Sequence, residues 1–265
     1  MKTYYPTIQK TITLLFRLFM WVFALLIPYI ILEIIKSPLR DNLTFKTVYF
    51  SVVAILANTF TIFYATRRIK KQESYNLFTN WKNLPLNYLP LSLIGIMAFV
   101  FLVDPLEQVL PFSNNFKNYF TTLLEIKGYA FFVIVIAMPV LEELLFRGII
   151  LRAYLKNYTA LKSILLSSFL FGIVHFNLAQ LIISFLVGIF IGYLYWQTKS
   201  LSLCVVVHVV HNAIFFIGFH FFDTGFSIES AISNTLVYLM LYLVAAVVLT
   251  IVILTIYRKS LPSAR

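Results

Sequence analysis

The sequence predicts an all-α, polytopic membrane protein of about eight transmembrane helices, arranged as a single bundle with an intramembrane polar cavity. Three observations carry that expectation. Of 265 residues, 61% are hydrophobic and 12% charged, against about 45–50% and about 25% in a soluble domain. Apolar runs near the ~20 residues that a spanning helix needs recur along the whole chain. Basic residues gather on alternate connections between those runs. The composition excludes a water-soluble globule and a nucleic-acid partner. One cysteine, Cys204, excludes an intramolecular disulfide framework and a cysteine-based zinc knuckle.

The candidate spans fall at roughly 11–35, 46–66, 88–103, 128–150, 160–178, 180–197, 201–222 and 231–257. The first is too long for a signal peptide and lacks a small-residue cleavage site, so it is expected to be retained. With the N-terminus inside, the cytoplasmic connections collect fifteen Lys and Arg and the outer ones five. Arg67, Arg68, Lys70, Lys71 and Lys82 form one cytoplasmic group, and Arg147, Arg152, Lys156 and Lys162 another; Arg17 lies inside the first span. This asymmetry predicts a multi-pass protein of the cell membrane with both termini cytoplasmic. It also assigns the net charge of +11 to anchoring beside anionic lipid. Residues 1–265 read as a single membrane domain. The connections at 67–87 and 104–127 carry aromatics (Tyr75, Phe78 and Trp81; Phe112, Phe116, Tyr119 and Phe120) that suit the headgroup level. Gly188 and Gly192, four apart, predict a close helix contact.

Ionisable side chains within spans are costly, so the informative ones are those not placed at span ends. In LEELLFRG, neighbouring positions on a helix point about 100° apart, so Glu142 and Glu143 serve different partners. Glu143 and Arg147 stand at i, i+4 with the acid first, the favourable order for an ion pair. That pairing singles out Glu142 for chemistry, as a carboxylate whose desolvation would tune it towards a working base. In FGIVH, Phe171 at i and His175 at i+4 let the ring pack against the imidazole. A turn at Asn157–Tyr158–Thr159 puts Glu142 and His175 each about 15 residues, about 23 Å, from it. In HVVHN, His208 and Asn212 share a helix face and supply two donors to one oxygen, as a tetrahedral oxyanion requires. Counted from its own turn near Lys199, His208 is about 9 Å shallower than His175. His211 either joins that face or misses it, and His208 with His211 and a carboxylate would also suit zinc. His220, at a span end, reads as structural.

Together Glu142, Glu143 and Arg147, then Phe171 and His175, then His208 and Asn212 resemble the CPBP family of intramembrane proteases (CAAX proteases and bacteriocin-processing enzymes, also labelled Abi). The resemblance covers about residues 125–220. It implies an eight-span helical fold with a cavity opening to the cytoplasm, and cleavage of a peptide bond near a membrane-anchored end. Carried onto this chain, it implies that Glu142 and His175 activate the attacking water. His208 and Asn212 would stabilise the oxyanion, and Glu143, Arg147 and Phe171 would support them. The substrate partner would be a membrane-anchored peptide or protein. No cofactor is expected, in line with a metal-independent glutamate mechanism in the family and with the lack of a tight His-x-x-x-His motif; a divalent metal such as zinc stays open. The family often has Thr-Gly-Ser-Leu where this chain has Thr198-Lys199-Ser200-Leu201. Two alternatives remain: acyl transfer on a lipid-modified protein through the same site, and a non-catalytic membrane immunity or scaffold protein.

Overall fold

The computed structural model describes residues 3–73, 77, 81, 84–110, 114–221, 228, 232 and 234–260. Tyr75, Phe78, Lys82 and Phe112 lie outside the described residues. Among those described there is no strand. Among the described residues nine principal helices follow one another: α1 (Ile8–Ile34), α2 (Leu43–Lys70), α3 (Leu89–Val109), α4 (Asn114–Glu125), α5 (Lys127–Asn157), α6 (Ala160–Ile173), α7 (Leu178–Thr198), α8 (Leu201–Phe221) and α9 (Thr235–Ser260). Seven of them are long and apolar enough to cross a membrane, and α6 is a shorter apolar helix. The all-α, multi-pass reading therefore holds. The helices divide into two compact units, Met1–Leu77 with Ser113–Thr159 and Phe78–Phe112 with Ala160–Arg265.

In the first unit α1 and α2 pack antiparallel, Trp21 against Phe60 and Tyr29 against Phe50, with ring centroids 5.3 and 5.2 Å apart. Caps delimit both helices. Thr7 accepts from Lys10 N at the start of α1, and Asn42 accepts from Phe45 N at the start of α2. The connection read as headgroup-level chain contains α4, whose Tyr119 hydroxyl lies 3.0 Å from Ser51 Oγ on α2.

Helix α5 is longer than its apolar run because polar contacts extend it. Asn157 at its end accepts from Tyr4 N at 2.9 Å and donates to Tyr4 O at 2.8 Å. Glu73, just beyond α2, accepts from Arg152 Nη2 at 2.7 Å and from Lys156 Nζ at 2.6 Å. The sequence counts Arg152 and Lys156 among the bases of a cytoplasmic connection; the structure pairs both with Glu73, the one acid among the bases of 67–87. The helix is not uniform either. Residues Phe131–Ala137 and Leu144–Leu151 are π-helical, on either side of the α-helical Met138–Glu143. Pro139 has no N–H to give, which removes one i→i+4 bond and favours the wider turn before it. An even rise of about 1.5 Å per residue therefore does not describe α5.

In the second unit the fifth predicted span, 160–178, is shorter than read. Helix α6 stops at Ile173 after 14 residues, or about 21 Å. Phe176 takes φ 51° in the turn, and Asn177 caps α7 by accepting from Gln180 N. Helices α6 and α7 approach closely at small residues. A Cβ on Gly188 would meet Ser168 Cβ at 2.9 Å, as the spacing predicts, and one on Gly172 would meet Leu181 O at 2.5 Å. Helix α3 packs on α7 and α9 at Gly95, where a Cβ would meet Phe190 at 2.8 Å and Val252 at 3.0 Å. It also runs past its predicted end, because Asp104 is buried there and accepts from Ile228 N and the Tyr238 hydroxyl. Asp104, read as an outer-loop acid, is thus a structural anchor.

Two measurable consequences follow from these contacts. Lys199 closes α7 in the left-handed region at φ 53°, where glycine carries no Cβ penalty. Lys199→Gly should raise the unfolding free energy by about 0.5–1 kcal/mol in detergent denaturation. At Glu73, burial pushes the carboxyl pKa up, but hydrogen bonds from Lys156 and Arg152 and their charges outweigh it, and the net direction is down from 4.5. A depressed carboxyl contributes stability above the unfolded-state pKa and loses it as pH falls through the folded value. The melting-temperature gap between wild type and Glu73→Gln should be full at neutral pH and close on acidification below about 4.5.

Candidate active site

The first unit supplies the acidic half of the predicted residues. Glu143 Oε1 accepts from Arg147 Nη1 at 2.7 Å, with side-chain exposures of 0% and 1%. The i, i+4 pair read from the sequence is therefore present and fully removed from solvent. Leu144, Leu145, Phe146, Ile149 and Ile150 bury the same stretch of α5. Glu142, one residue earlier, is half-buried instead. The two adjacent carboxylates thus occupy different environments, as their angular separation requires.

The second unit supplies the imidazoles and the carboxamide. His175 lies in the turn after α6 rather than within a helix. Its Nδ1 is 2.9 Å from Phe171 O, the carbonyl four residues back. A carbonyl only accepts, so Nδ1 carries the proton and, in the neutral ring, Nε2 carries the lone pair. The contact occupies a carbonyl in the last turn of α6.

Phe171 is the hub of this half. Its ring centroid is 5.3 Å from that of His175 and 5.8 Å from that of His208, with interplanar angles of 85° and 88°. The sequence foresaw the first contact and not the second. One aromatic ring spans the depth offset expected between the two histidines. Both meet it edge to face, the orientation that the ring quadrupole favours. Buried Phe171 and His208 rest among small residues; Gly172 and Ser168 are buried beside Phe171 on α6, and Cys204 is buried one turn before His208 on α8.

His211, left open by sequence, belongs to this group. Its Nδ1 is 3.0 Å from Asn212 Oδ1, and its ring centroid is 6.4 Å from that of His208. An amide oxygen accepts, so His211 donates, and the Asn212 Nδ2 donors point to the other side of the carboxamide. The missed signal was sequence adjacency: i, i+1 neighbours rarely meet across a helix surface, yet here two short planar side chains bend towards each other. His220 bonds Phe216 O through Nδ1 at 2.8 Å, in accord with a structural role. Ser200 Oγ accepts from Leu203 N and fixes the start of α8.

Among the described residues, no three His, Cys, Asp or Glu side chains form a group placed to hold a metal ion. The available donors, imidazole nitrogen and carboxamide oxygen, are engaged with Phe171 O and with one another through one nitrogen of His175 and of His211.

Residues 126–214 match the family model described as type II CAAX prenyl endopeptidase Rce1-like. A curated relative from Bacillus subtilis (strain 168), named "Putative membrane peptidase YdiL", is 35% identical over 74 residues, which is 28% of this chain and 30% of that protein. The chain thus spans under a third of the length of that relative. No solved structure matches. The matched segment contains the three motifs in order, from Glu142 to Asn212. The match over residues 126–214 is consistent with the CPBP family that the motifs resemble.

Proposed function

We propose that this chain is an intramembrane endopeptidase that hydrolyses a peptide bond of a membrane-associated protein or peptide by a glutamate-dependent route. The observation that carries the reading is the ordered set of motifs inside the Rce1-like segment. Glu142 and the lone-pair Nε2 of His175 take the proton of a water as its oxygen attacks the substrate carbonyl carbon. His208 and the Nδ2 donors of Asn212 stabilise the negative oxygen of the tetrahedral intermediate. Collapse breaks the C–N bond, and the proton passes to the departing amine. His211 is the positioning residue for Asn212, since its Nδ1–H holds the amide oxygen and thereby aims the donors. The buried Glu143–Arg147 pair supports the reading by committing one of the two carboxylates to Arg147.

The proposed topology has both termini cytoplasmic. Its support is the basic ends of α2 (Arg67, Arg68, Lys70) and α9 (Arg258, Lys259) on the predicted inner side. The substrate is then cut near its anchored end from that side.

The test is cleavage of a membrane-tethered peptide by the full chain in vesicles. Glu142→Gln and His175→Ala should each lower the rate by about 10²–10⁴-fold or more while the protein stays folded. Full activity in either variant overturns the mechanism. The summed product mass should exceed the substrate by one water; transfer to another acceptor would not add it. Glu143→Gln behaves differently. It leaves a buried guanidinium with a neutral partner, so its expected signature is a loss of about 3–5 kcal/mol of stability, read by thermal unfolding in detergent.

A further inference from the structure

Arg17 is a cation in the wrong place. It stands nine residues into α1, about 13 Å along the helix, among the exposed apolar side chains of Phe16, Met20 and Trp21. Its guanidinium carbon lies 4.4 Å from the centroid of the Tyr64 ring on α2. Arg68, one turn further along α2, sits 5.9 Å from the ring of Tyr5, and Arg67 lies over Phe63 at 4.1 Å. All three arginines are exposed, and among the described residues none forms an ion pair with a carboxylate. Elsewhere in this unit the buried or half-buried cations Arg147, Arg152 and Lys156 each have one.

A guanidinium over an aromatic ring gains a quadrupole attraction but no neutralising charge. The missing component is an anion; a guanidinium inside a span snorkels along its stem to the headgroup level, here beside the basic end of α2, where a phosphodiester is the anion that the surroundings supply. Its two unesterified oxygens match the guanidinium fork. Tyr5 completes the cluster. Its ring is 6% exposed, and its hydroxyl makes no hydrogen bond among the described residues. Burial and Tyr64 push that phenol up to about 12 against the opposing charges of Arg68 and Arg17, so it is a neutral donor facing both cations.

We propose that Arg17, Arg68, Tyr5 and Tyr64 form a site for the phosphate of an anionic glycerophospholipid, whose chains lie along Phe16, Met20 and Trp21. A soluble phosphate has no comparable use for the apolar surface that flanks Arg17. The site is independent of the proposed peptidase chemistry.

Native mass spectrometry of the full chain, released from micelles holding equal phosphatidylglycerol and phosphatidylcholine, tests this. Wild type should retain phosphatidylglycerol preferentially. Arg17→Gln with Arg68→Gln should lower that preference about tenfold or more. Arg258→Gln with Lys259→Gln, at the end of α9, should leave it unchanged. Arg68→Gln alone, at an exposed last-turn position, should lower it several-fold, which keeps the test decisive if the double variant fails to fold. An equal loss in the α9 variant would mean diffuse charge and overturn the site. Displacement of the lipid by excess inorganic phosphate would identify a free-anion site and overturn the lipid assignment.

Discussion

A carboxylate and a guanidinium that are both stripped of water persist only in each other's company, and the Glu143–Arg147 contact holds α5 to that condition. Either ion alone among Leu144, Phe146 and Ile150 would carry an uncompensated desolvation cost of several kcal/mol. The pair also sets what its neighbour does. With Glu143 turned fully inward, Glu142 falls on a different, half-buried face. The π-helical turns on either side of Met138–Glu143 fit the same picture, since widened helical turns recur where a sequence must aim particular side chains.

In the other unit the organising group is uncharged. Phe171 gives each of two imidazoles an edge contact and, through its carbonyl, fixes the tautomer of one of them. A single residue therefore sets the separation of His175 and His208 as well as the side on which His175 accepts a proton. His211 does the comparable task for Asn212. Both devices are short-range and neutral, so they avoid bringing further charge into an apolar setting.

Much of this architecture was legible in the chain. Apolar length located every long helix, and i, i+4 spacing found the Glu143–Arg147 pair, the Phe171–His175 contact and the Gly188 approach. The features that escaped depend on partners distant in sequence or on helix geometry. Arg152 and Lys156 read only as cytoplasmic bases because their partner Glu73 is 79 and 83 positions away from them. Asp104 looked like a loop acid because the groups it accepts from lie at 228 and 238. The early end of α6 was hidden because residues 174–178 remain partly apolar, and only the left-handed Phe176 and the Asn177 cap stop the helix. The departure at Lys199 now has a physical meaning: a position that favours glycine holds a side chain in the same left-handed conformation.

The brevity of α6 bears on the surrounding lipid. Fourteen residues reach about two-thirds of the way across a hydrocarbon layer of about 30 Å. Acyl chains bordering so short a segment meet a hydrophobic mismatch, which bilayers relieve by local thinning. Such thinning around α6 would bring headgroups and their hydration closer to the turn that bears His175. An undersized helix is one way to let water approach polar side chains that sit below a membrane surface.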